Sequence, residues 1–91
     1  MERNNEFLAH LHRLQMLQVL AYENGLNMQI NTRDTNSDGS WITGSVYYEA
    51  PESFLQEDRH LHFYLFSFRS NKEKEAELNR VEKWILDHKN I

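Results

Sequence analysis

Apolar residues in this chain recur every three to four positions, then at every second position in three successive runs, and then every three to four positions again. A period near 3.6 gathers side chains on one face of a helix and a period of two gathers them on one face of a strand. The order is therefore helix, strand, strand, strand, helix. With 91 residues there is material for a single core, and residues 1–91 are expected to form one domain. Two amphipathic helices bury their stripes most simply against one face of the sheet that three short strands make. The expected fold is α+β, a two-layer sandwich in the order α-β-β-β-α, with a three-stranded antiparallel sheet and both helices on one face. The patterning leaves strand order open, because a meander and a reordered sheet bury the same residues.

The first helix is expected from Asn5 to Glu23, with Phe7, Leu8, Leu11, Leu14, Leu17, Ala21 and Tyr22 as its stripe, Asn4 or Asn5 as its cap and Asn24-Gly25 as its left-handed stop. Met16, Val19 and Leu20 fall outside that stripe as a second apolar patch, wider than one packing face requires. Strand one is expected over Asn27 to Asp34. The polar run ending in Asp38-Gly39 has the chemistry of a hairpin turn. Strand two runs from Ser40 to Tyr48 or Glu49, with Ile42, Gly44, Val46 and Tyr48 opposed to Trp41, Thr43, Ser45 and Tyr47. Pro51 suits the first position of a single helical turn in the connector that follows. Strand three, Arg59 to Phe68, splits into Leu61, Phe63, Leu65 and Ser67 against His60, His62, Tyr64, Phe66 and Phe68. Ser70-Asn71-Lys72-Glu73 matches a capping box, and Leu78, Val81, Ile85 and His88, with Trp84 alongside, give the second helix its apolar stripe.

Charge and cysteine content narrow the chemistry. Ten Lys plus Arg against 14 Asp plus Glu leave a formal charge of −4, so long-range attraction to phosphate backbones is not the default expectation. There is no cysteine, which removes disulfides, thiolate metal ligation and thiol catalysis and fits a reducing compartment. The opening residues carry charge of both signs without an apolar segment of signal-peptide type, and no apolar run approaches the roughly 18 residues needed to cross a bilayer. A cytoplasmic protein without membrane attachment is the expectation.

Asp34-x-Asn36-x-Asp38-Gly39 resembles the first half of an EF-hand calcium loop, yet the twelfth position holds Ser45 where a bidentate glutamate belongs, and the flanks read as strands. A polar hairpin turn accounts for the same residues. His60 and His62 share one side of a strand, but no motif supplies further ligands. His10 and His12 lie about 200° apart on a helix and cannot chelate one ion. Neither a metal nor another cofactor is expected. No nucleophile elbow, glycine-rich phosphate loop or His-Glu-x-x-His motif is present, so a non-catalytic protein is expected.

The candidate site is the face of the sheet turned away from the helices. If Leu61, Phe63 and Leu65 face the helices, the open face presents Trp41, Tyr47, His60, His62, Tyr64 and Phe66, the aromatic types that dominate protein interfaces. That composition points to an interaction or regulatory domain that docks a protein partner or its own copy. Glu49, Glu52, Glu57 and Asp58, with no base among them, are expected to rim the surface and steer basic partners.

The element order also resembles that of the double-stranded RNA-binding domain, and the likeness covers most of the chain. The resemblance implies a nucleic-acid-binding alternative, in which a lysine cluster at the start of the last helix grips phosphates. The matching stretch here, Ser70 to Glu77, interleaves each lysine with glutamate, and Glu77 stands where that family has a base. Glu and Lys alternating in this way is the pattern of a solvated helix face.

Overall fold

The computed structural model describes residues 5–33, 40–48 and 60–89. Its elements are α1 (Asn5–Glu23), β1 (Asn27–Arg33), β2 (Trp41–Tyr47), β3 (His60–Phe66) and α2 (Asn71–Asp87), in the expected α-β-β-β-α order. The three strands form one antiparallel sheet in the order β1-β2-β3. The strand order that the patterning left open is thus a plain meander. The acidic stretch, the Pro51 turn and the calcium-like loop at 34–39 lie outside the described residues.

Each helix end follows from local chemistry. Gly25 sits at φ 77°, a conformation that costs glycine nothing. There the Gly25 amide donates to the Tyr22 carbonyl and the Leu26 amide to the Ala21 carbonyl, which is the paired bonding of a Schellman stop. Ser70 caps α2, its Oγ accepting from the Glu73 amide at 3.1 Å.

The core lies between the helices and one sheet face. Leu14, Leu17 and Ala21 from α1 and Leu78, Val81 and Ile85 from α2 meet Met28, Ile42, Val46, Phe63 and Leu65, all buried. Strand alternation therefore sorts the two faces as expected. Gly44 lies among the core-facing positions of the central strand, with the ring of Phe63 over it.

Two expectations for the helices change. Leu8 and Tyr22 belong by spacing to the α1 stripe but are 43% and 54% exposed, because they sit on the margin of the stripe nearest solvent. Lys74, expected on a solvated face, is buried and paired with Glu6 of α1. The first turn of α2 packs beside α1, so an outward-reading residue finds a neighbouring helix there instead of water. The hydrogen bond from Lys74 holds the Glu6 carboxyl below its ordinary range.

Charged groups continue along the seam between the helices. Arg13 donates to Glu75 at 2.8 Å and to Asn79 at 2.6 Å and lies 3.7 Å from Glu82. His10, buried in α1, approaches the other Glu75 oxygen at 3.6 Å. These groups are partly solvated, and such networks contribute little per pair. Arg13→Ala is expected to cost about 1 kcal/mol, lowering the thermal midpoint by roughly 4–8 °C in a domain this size. A melt monitored by far-UV circular dichroism checks it.

The helices do not run straight along the sheet. The C-terminal half of α1 lies at the outer edge of β1, where Gln18 Nε2 (2.8 Å) and Tyr22 Oη (3.4 Å) donate to the Met28 carbonyl. Its N-terminal half lies over β2 and β3, where Phe7 and His10 line a water-sized cavity with Ile42, Leu65 and Ser67. Because α1 crosses obliquely, the far half of β1 is thinly covered. Met28 is buried, Ile30 half-buried and Thr32 exposed along the helix-facing side of the strand.

Candidate functional site

Register decides which side chains share the open face. Trp41 stands opposite Phe66, Thr43 opposite Tyr64, Ser45 opposite His62 and Tyr47 opposite His60. All six expected site residues therefore occupy one surface, in two clusters. Trp41, Phe66 and Tyr64 gather toward one end of the sheet, and Tyr47, His60 and His62 toward the other. Their exposure differs: Tyr64 is 52% exposed and His62 is exposed, whereas Trp41, Tyr47, His60 and Phe66 are half-buried. The side chains thus shield one another as well as facing outward.

The aromatic row on β3 is stacked. The Tyr64 and Phe66 ring centroids lie 6.0 Å apart at 16°, and those of Phe66 and Phe68 lie 5.3 Å apart at 9°. Phe68, 72% exposed, extends the row one position beyond the strand, with the Arg69 guanidinium 5.4 Å from its ring centre. The expected site omitted Phe68 although the expected strand and its period of two carried it onto the same face; the observed strand is shorter, ending at Phe66, and the aromatic row outlasts the ladder. His60 and His62 meet edge to face at 5.0 Å.

Next to the aromatic row lies a shallow polar trough of about 260 Å³, lined by Gln29 and Asn31 from β1, Thr43 and Ser45 from β2, and His62 and Tyr64 from β3. Sequence reading passed over this half of the face because amides and hydroxyls on strands carry no motif. Register shows what they make together. The twelve open-face positions include no carboxylate and one formal cation, Arg33, in a chain with 14 acids.

The edge of β3 is closed by α2. In an antiparallel ladder alternate residues point their amide and carbonyl outward, and on this edge strand those include His62 and Tyr64. The Tyr64 amide donates to Glu77 Oε2 at 2.9 Å, the His62 carbonyl accepts from Arg80 at 2.8 Å, and Arg80 also donates to both Glu77 oxygens. Burial pushes the Glu77 carboxyl up, but the hydrogen bonds from Arg80 and the Tyr64 amide outweigh it and hold the group below its ordinary value. Glu77 raises the Arg80 guanidinium in turn. The backbone that carries Tyr64 is thereby pinned from the side.

Among the described residues no group of three His, Asp or Glu side chains is placed to hold a metal ion, and no helix is long and apolar enough to cross a membrane. Compared with models of protein families, with curated proteins and with solved structures, the chain matches none.

Proposed function

We propose that this domain is a non-catalytic binding module that docks a protein partner through the open face of its sheet. The observation that carries the reading is the stacked, outward Tyr64–Phe66–Phe68 row beside a carboxylate-free trough of amides and hydroxyls. Tyr, Trp and Phe supply rigid contact area at small entropic cost, while Ser, Thr, Asn and Gln accommodate a partner's hydrogen bonds; antibody paratopes rely on the same combination. Arg33 and the histidines leave the surface free of fixed negative charge. Acids of the β2–β3 connection then act at longer range to favour a basic partner. The lack of cysteine suits a reducing compartment, and we infer a cytoplasmic setting.

The RNA-binding alternative finds less support. Of the cations at the start of α2, Lys74 is taken by Glu6 and Arg69 by Glu73, so phosphates meet few unpaired charges where that family grips them.

The test compares the wild-type protein with a Tyr64→Ser/Phe66→Ser double variant and a Leu86→Ser control, Leu86 being exposed on α2. A partner captured by the wild type and identified is then titrated against all three. Binding is expected to weaken at least tenfold in the double variant, about 1.4 kcal/mol or more, with the control unchanged and helical content retained. Equal affinity in all three overturns the proposal. A salt-dependent mobility shift with RNA, lost in the double variant, replaces it with the nucleic-acid reading.

A further inference from the structure

The middle of the open face differs from its two ends. Register sets Gln29, Ser45 and His62 in one cross-strand row and Asn31, Thr43 and Tyr64 in the next. On the central strand these rows carry the short side chains of Ser45 and Thr43, between Trp41 on one side and Tyr47 on the other. The trough of about 260 Å³ is therefore a step down between aromatic ends.

Its floor is left without partners. Ser45 is 6% exposed, yet its side chain has no hydrogen-bond partner among the described residues. The hydroxyl is not sealed in, because no enclosed side-chain oxygen or nitrogen among those residues goes unpaired; it opens on the trough that it lines. Thr43, Gln29 and Asn31 also reach the trough with no side-chain partner among the described residues. Buried hydroxyls are normally paired. Here a nearly buried one sits with a second hydroxyl and two amides, all neutral and all able to donate and to accept.

Tyr64 adds an apolar wall. Phe66 stacks on one face of its ring at 6.0 Å and 16°, two positions along the strand and away from the trough, so the other face is turned toward it. No carboxylate and no fixed cation lines the trough, Arg33 included. A charged ligand would find no counter-charge there, and an apolar one would strand the Ser45 hydroxyl. A sugar ring meets both conditions: its C–H face packs on the electron-rich face of an aromatic ring, and its hydroxyls, donors and acceptors alike, match amides and hydroxyls. At about 260 Å³ the trough lies just under the roughly 300 Å³ at which small-ligand sites begin, which limits the occupant to one or two rings. We propose that the middle of the open face binds a neutral mono- or disaccharide, stacked on Tyr64 and held through its hydroxyls by Gln29, Asn31 and Ser45. This goes beyond protein docking, because it gives the face a small ligand of its own.

The experiment titrates glucose, galactose, mannose, N-acetylglucosamine and maltose, each to roughly 50 mM, onto the isolated chain and follows its backbone amides by NMR. At least one sugar is expected to shift the amides of Gln29, Asn31, Ser45 and Tyr64 saturably, with a Kd of roughly 1 mM. Ser45→Ala is expected to weaken that binding about fivefold. Gln29→Ala/Asn31→Ala, which changes exposed side chains, is expected to weaken it at least tenfold, with circular dichroism unchanged in both variants. Gln15→Ala, which removes an exposed amide on α1, is expected to bind as the wild type does. No protein partner enters the titration, so failure of the docking reading leaves its result unchanged, and the reverse holds as well. If no sugar moves the four amides, the proposal is overturned. It is overturned too by an affinity that both trough variants leave unchanged, or by adenosine binding the trough at least tenfold more tightly than every sugar, which would assign the site to a nucleobase.

Discussion

Gly44→Ala is expected to destabilise the protein by about 3 kcal/mol or more and to lower its thermal midpoint by at least roughly 12 °C. A Cβ at this position would stand 2.6 Å from Phe63 Cζ and would overlap the carbonyl oxygen of Gln29 on the neighbouring strand. The first contact can be relieved only by moving a ring that is wholly buried among Leu14, Ile42 and Val81. The second can be relieved only by displacing the backbone of β1 from the ladder. Cores are packed too densely to absorb either shift without strain. Against a total stability of roughly 5–14 kcal/mol for 91 residues, the loss is a large share. Chemical denaturation of both proteins measures it directly. A smaller variant pair, Gly44→Ala with Phe63→Leu, is expected to recover part of the loss, because shortening the ring frees the space the methyl group needs while leaving the Gln29 contact in place. A Gly44→Ala protein as stable as the wild type would mean that the ring and ladder yield far more freely than their burial implies.

That glycine shows how far the sequence carries. Alternation placed Gly44 on the same side as Ile42 and Val46, and the structure agrees; spacing alone did not reveal that Phe63 lies over it, because cross-strand partners follow from register. The aromatic face was legible for the same reason the strands were, since a period of two commits Tyr64 and Phe66 to the side opposite Leu65. The polar trough was not, because Gln29, Asn31, Thr43 and Ser45 become neighbours only when β1 and β2 are aligned. The helices divide similarly. The stripe through Leu14, Leu17 and Ala21 was plain, whereas Lys74 read as a solvated residue until the first turn of α2 was placed beside Glu6. Charge patterns report how polar a face is and say nothing of whether another helix covers it. Met16 and Val19 are the converse case: surplus to the stripe by spacing, they remain 61% and 53% exposed, as residues off the packing face should.

Glu77→Gln should destabilise the domain by about 2 kcal/mol near neutral pH, a loss of roughly 8–16 °C in thermal midpoint, and the difference from the wild type should shrink in acid. The carboxylate is only 19% exposed and accepts from the Tyr64 amide and from Arg80, which itself holds the His62 carbonyl. Glutamine retains a carbonyl for one of these donors but not the charge, and it leaves the guanidinium without its counterion. The pH dependence follows from the direction of the shift. The folded carboxyl titrates below its ordinary value near 4.5, so its contribution is complete above that value and is lost as pH falls through the lower, folded one. Glu6, held down by Lys74, acts in the same sense in both proteins and cancels in the comparison. Melts of wild type and variant from neutral pH to roughly pH 3 should therefore converge below about pH 4.5; a gap of constant size would mean that the carboxylate charge contributes nothing at this edge. Exchange at the Tyr64 amide should quicken in the variant at neutral pH. Tyr64 presents its ring on the open face while Glu77 holds its amide at the edge, so the residue expected to bind a partner is positioned by an ionic clamp on a different element. Partner binding should accordingly weaken in Glu77→Gln by less than in Tyr64→Ser/Phe66→Ser, through loss of order in the aromatic row instead of loss of the row itself.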